Sequence, residues 1–263
     1  MGRIDTIFAN LRTANARGLM PFITGGHPNT ETTTALLQGL KTAGACICEV
    51  GIPFSDPIAD GPVIAGTMQQ ALVSGITVDN VIASVAAARS HTELGIVAMV
   101  SHSIVHRRGD ADFVYTLADA GFDGLIVPDI DPHQASTLLP AIDERDLSFS
   151  LLISPTTPDA RIAELCDSCR GFVYLLARAG ITGTSSSLEG LSQRVTVLRE
   201  ATDLPIAVGF GIASPQAVAE AVEHCDAAIV GTALARAIGA ATDPVEAGLR
   251  FVMDLAAGLQ APA

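Results

Sequence analysis

Positive charge is scarce in this chain. Fifteen lysines and arginines stand against 28 aspartates and glutamates, a net charge of −13 at pH 7, so nucleic-acid backbones and anionic lipid surfaces are repelled. No uncharged apolar run reaches the ~18 to 20 residues of a spanning helix, and the opening MGRIDTIFANLR has no apolar stretch behind a basic start. These absences predict a cytoplasmic protein with neither a nucleic-acid nor a membrane partner. Lysine is reduced to Lys41, at the end of a helical stretch that leads into a strand. Schiff-base aldolase chemistry and pyridoxal phosphate attachment need a lysine in the site, so both are excluded. The six histidines include no H-E-x-x-H and no clear ligand triad, although His102 and His106 are four apart; no metal and no cofactor is expected. The five cysteines are odd in number, and Cys166-x-x-Cys169 ends a predicted helix without a second such pair. They read as packing thiols in a reducing compartment.

What is present is an alternation. Eight short apolar runs, at 20–24, 46–50, 96–100, 124–127, 149–153, 172–176, 206–208 and 227–230, are separated by longer segments of helical period. That is the pattern of parallel strands joined by crossover helices. The runs lack strict polar alternation, as strands covered on both faces do. No G-x-G-x-x-G follows the first run, and 263 residues suit a closed barrel better than an open doubly wound sheet. The expected fold is α/β, a single (β/α)8 TIM-barrel domain over 1–263. Extra helices are expected before strand one, at 5–15, and in the second crossover, at 62–74 and 78–90.

In such a barrel the chemistry lies at the C-terminal ends of the strands. The segment EVGIPFSDPIADGP, from Glu49 to Pro62, is the densest cluster of special residues. Glu49 closes an apolar strand, where a charge aimed into the barrel mouth needs a functional reason. Asp60 lies in the following loop, stiffened by Pro53, Pro57 and Pro62; Asp56 and Asp60 also fit as ordinary turn residues beside proline and glycine. Three further loops, AGITGT, GFGIASP and VGTA, follow the last three strands. Barrels commonly hold phosphate there through backbone N–H groups and a helix N-terminus, with glycine allowing close approach. Residues 179–191, polar and glycine-bearing, have the length of a lid.

The motifs GIPFSDPIADGP, SPTTPD, GFVYLLARAGITG, AVGFGI and IVGTA occur in the order and spacing of the tryptophan synthase alpha family, which the chain resembles over nearly its whole length. The resemblance implies a lyase that splits indole-3-glycerol phosphate into indole and glyceraldehyde 3-phosphate within tryptophan biosynthesis. It implies that Glu49 shuttles protons, Asp60 holds the indole N–H, Tyr174 lines the site and Thr182 engages Asp60 from the lid. It places Gly183, Phe210, Gly211, Gly231 and Thr232 around the phosphate, and it implies a beta-subunit partner.

Several positions depart from the family pattern. Thr232 stands where serine is usual, and His27 where aspartate is. MVSHSIV replaces a tyrosine, asparagine and proline stretch after strand three, and Ala65, Gly66 and Gln70 replace glutamine, a polar residue and arginine. The last two regions lie toward the beta-facing side, so a weakened interface is expected. Two other readings stay open: a stand-alone indole-3-glycerol phosphate lyase, and a catalytically silent barrel acting as a binding subunit.

Overall fold

The computed structural model describes residues 1–57, 60–177, 190–209 and 211–260. All ladders are parallel and run in the order β5-β4-β3-β2-β1-β9-β8-β7-β6. The strands are β1 (Gly18–Thr24), β2 (Ile47–Gly51), β3 (Gly95–Met99), β4 (Gly124–Ile126), β5 (Ser148–Ser150), β6 (Leu152–Ile153), β7 (Val173–Leu176), β8 (Ile206–Gly209) and β9 (Ala227–Val230). Because β5 and β6 are consecutive halves of one stretch, the two ends of this order meet, and the sheet forms the expected TIM barrel.

The fifth strand differs from the continuous run at 149–153. Phe149 exchanges both backbone hydrogen bonds with Arg170, at 2.9 and 2.7 Å, in an antiparallel bridge. The Leu151 N–H then turns to the Cys169 sulfur at 3.4 Å. With those donors and acceptors spent outside the ladder, the stretch pairs with β4 before Leu151 and with β7 after it.

Two apolar clusters sort by strand period. Outward residues such as Cys48, Val50, Ile96, Ala98 and Leu125 pack under the surrounding helices, and inward ones such as Met20, Phe22, Ile47, Val97 and Ile126 fill the barrel. The amphipathic first helix, Arg3–Thr13, inserts Ile4 and Phe8 into the inward cluster, with Phe8 and Phe172 ring centroids 5.9 Å apart. It therefore plugs the bottom, as the extra helix predicted at 5–15. The second crossover carries both expected helices, Pro62–Val73 and Val78–Arg89. Proline at the first helical position starts the former, and a Thr77–Asn80 capping box starts the latter.

Four of the cysteines are buried and all five are free. Burial pushes the Cys169 thiol up to about 12 and the Cys166 thiol up to about 11, which keeps them protonated and unreactive. Among the described residues no single helix is long and apolar enough to cross a membrane.

Candidate active site

Glu49 is the middle residue of β2, paired in register with Phe22 and Val97. Its neighbours Cys48 and Val50 belong to the outward cluster, so the strand period turns Glu49 inward. The residue is 0% exposed, and neither carboxylate oxygen takes a hydrogen bond among the described residues. Leaving a buried polar group unpaired costs about 1–3 kcal/mol, and more for a charge. An aliphatic side chain would serve packing better, so this carboxyl has the character of a reactive group. Burial, reinforced by the nearby charge of Asp60, raises its pKa well above the usual carboxylate range.

Asp60 sits at the mouth, in the loop between β2 and the Pro62–Val73 helix, with its N–H on the Pro57 carbonyl at 3.2 Å. Burial raises its carboxyl to about 6. Tyr174, in β7, has a phenol whose pKa is lifted by burial and then by the charges of Glu49 and Asp60. It therefore stays protonated as a donor. A Cβ at Gly209 would stand 2.5 Å from the Tyr174 hydroxyl, so the glycine that closes β8 makes room for the phenol. Glu49, Asp60 and Tyr174 thus lie close enough, from three elements, for their charges to act on one another.

The helix Pro62–Val73 covers this region. Its Ile64 and Met68 enter the inward cluster, and Thr67 is tied to Thr24 at the end of β1 by a 2.7 Å hydroxyl contact. A pocket opens beside it, lined by Asp56, Asp60, Met68, Met99, Pro128 and Asp129 among others.

The expected phosphate loops lie where β8 and β9, paired neighbours, end. Gly211 has φ 75°, a left-handed conformation suited to glycine. Gly231 is the N-cap of the helix Thr232–Ala240, which has no side-chain cap and no acidic residue in its first turn. A Cβ on Gly231 would meet Ile64 at 3.3 Å and Phe22 at 3.6 Å. The first N–H groups of that helix are therefore available for an anion. Thr182, Gly183 and Phe210 lie outside the described residues, as does most of the expected lid at 179–191.

Two residues at this mouth escaped sequence reasoning. Phe22 faces Glu49 across the β1–β2 ladder, and its ring fills the space above Gly51, where a Cβ would stand 2.4 Å from it. The inward alternation of β1 was the available signal. Asp129 accepts from the Ser101 hydroxyl and the His102 N–H, both at 2.7 Å, and so fastens the loop after β4 to the one after β3. Only its place directly after an apolar run marked it. The departures at His27 and Gln70 prove to be one feature, since His27 Nε2 meets Gln70 Oε1 at 2.7 Å. A hydrogen bond joins the positions where the family pattern has an aspartate and an arginine.

A family model for the tryptophan synthase alpha chain matches residues 8–261. The tryptophan synthase alpha chain of Granulibacter bethesdensis is 42% identical over 236 residues, covering 89% of this chain and 85% of that one. Its counterpart from a Cyanothece species is 36% identical over 262 residues, with 99% and 97% covered. Among solved structures, a Mycobacterium tuberculosis tryptophan synthase superposes with a TM-score of 0.92 at 32% identity, covering 100% of both chains. An alpha subunit from Legionella pneumophila gives 0.90 at 31%, with 98% of each covered.

Proposed function

The chain belongs to the tryptophan synthase alpha chain family, and from that premise we propose how its residues carry out the family's lyase reaction. The substrate is indole-3-glycerol phosphate, the reaction is a retro-aldol cleavage, and the products are indole and glyceraldehyde 3-phosphate. Breaking the bond between indole C3 and the glycerol chain requires a proton on C3, stabilisation of the positive charge that then develops near N1, and removal of the 3'-hydroxyl proton.

Glu49 gives its proton to C3 and recovers one from the 3'-hydroxyl as the bond breaks, so the residue ends as it began. Its pKa, raised by burial and by the nearby charge of Asp60, supports the first step, because both causes favour the protonated form that must donate. Asp60 accepts from the indole N–H and balances the N1 charge. With a carboxyl at about 6, it is mostly ionised at pH 7. Tyr174, held protonated, presents a donor and a flat apolar wall to the ring.

Phosphate is held by backbone N–H groups at Gly211, Gly231 and Thr232, with Gly183 and Phe210 as further contacts and Thr182 engaging Asp60 on closure. The work falls within one TIM-barrel domain over 1–263, in the cytoplasm, and needs no cofactor. The beta subunit of tryptophan synthase is the proposed partner, on the face that carries Pro53, Asp56 and Pro57. Substitutions between 100 and 104 weaken that contact.

The observation that carries this reading is Glu49: fully buried, unpaired among the described residues, aimed inward and electrostatically coupled to Asp60. Purified protein incubated with indole-3-glycerol phosphate, alone and with a beta subunit, is expected to release indole. No indole in either case would overturn the assignment and leave the barrel as a silent binding subunit.

A further inference from the structure

We propose that His102, His106 and Asp110 form a binding site for a first-row divalent cation of the zinc class at the rim of the barrel mouth. One ligand atom from each of the three lies within 4.8 Å of the others. His102 and His106 are one turn apart on the helix His102–Arg108, which starts just after β3 ends, and their ring centroids are 5.9 Å apart. Residues four apart share a helix face, so both imidazoles present to the same volume.

Asp110 joins them through the helix break that follows. Gly109, at φ 87° and ψ 115°, ends one helix and starts the next, Asp110–Asp119. Asp110 Oδ2 accepts from the Thr137 hydroxyl at 2.9 Å. Oδ1 is left buried without a hydrogen bond among the described residues, 3.5 Å from His106 Nδ1. A carboxylate oriented by an outer hydrogen bond, with its second oxygen facing the His106 imidazole, is held as ligating carboxylates are.

The backbone at His102 is fixed, because its main-chain N–H donates to Asp129 at 2.7 Å. Two nitrogens and one oxygen match the borderline-soft cations, zinc foremost, and leave a coordination position for water or for a donor from another molecule. The net charge of −13 enriches cations near the surface. A simple ion pair between His106 and Asp110 would not account for the placement of His102 beside them.

The test is a titration of the chelator-stripped, full-length protein with zinc chloride against a chromophoric competitor, together with the visible spectrum of the cobalt-loaded form. About one equivalent should bind, with a cobalt spectrum lacking thiolate charge transfer. His106→Ala and Asp110→Asn should each weaken binding by about tenfold or more, since even outer-shell changes cost 10–100-fold. His106 is exposed, so its removal leaves the fold intact, which circular dichroism checks. Cys166→Ser should leave the affinity unchanged. No zinc binding by the parent protein, affinity in the two ligand variants equal to the parent's, or a thiolate band in the cobalt spectrum would overturn the assignment.

Discussion

Replacing Asp60 by asparagine should raise stability while it destroys activity, and the size of both effects follows from the site. Burial lifts the Asp60 carboxyl from 3.8 to about 6. At about 1.4 kcal/mol per unit, that shift of about two units corresponds to at most about 3 kcal/mol. The sign is set by linkage: a carboxyl that binds its proton more tightly when folded destabilises the native state as pH rises from 3.8 through 6, and the penalty levels off above that. Asparagine is uncharged at every pH. Allowing for partial solvation of the loop, Asp60→Asn should gain about 1–3 kcal/mol above pH 6 and almost nothing near pH 4. For a chain of this size that is roughly 2–4 °C in melting temperature per kcal/mol. Indole release should meanwhile fall about 100- to 1000-fold, the usual loss when a preorganised electrostatic group is removed. Thermal melts at pH 7.5 and pH 4, run beside the indole assay, measure both. A variant with unchanged turnover and no pH-dependent gain would make Asp60 a solvated turn residue and refute the argument.

Glu49→Gln should keep the fold and substrate binding yet lose about 100- to 10,000-fold in turnover, because an amide cannot shuttle a proton. It should also flatten the decline of stability with rising pH, since the native Glu49 retains a proton that the unfolded chain loses; an indole assay and melts across pH decide both. Gly209→Ala should push the Tyr174 ring out of place, because the added methyl would stand 2.5 Å from its hydroxyl; a lowered kcat/KM with Tyr174 displaced in a crystal structure is expected. Gly211→Val should raise KM by straining a backbone at φ 75° that a β-branched residue resists. If dephosphorylated substrate bound the parent protein as well as the phosphorylated one, the phosphate site would be misplaced. Titrating beta subunit while following co-elution and indole release should reveal a weak complex that raises activity. High activity with no binding and no stimulation would identify a stand-alone lyase.

Strand positions were legible in the sequence because burial on both faces of a parallel strand leaves a local imprint of consecutive β-branched and aliphatic residues. All eight apolar runs became strands, and the bottom helix and the paired second-crossover helices stand within about two residues of their expected ends. Glu49 was legible for the same reason, as a charge inside such a run. What depended on closure was not. The division of the fifth strand at Leu151 arises from the backbone of Arg170, and no local pattern announces a partner on a later loop. The joint His27–Gln70 contact and the role of Phe22 opposite Glu49 were equally hidden. So was Asp110 beside the two histidines, a meeting made by the left-handed break at Gly109. Periodicity is set by a residue's own strand or helix and survives in one dimension; the raised pKa values of Glu49 and Asp60 come from desolvation, which exists only once the barrel and its covering helix have excluded water from both carboxyls.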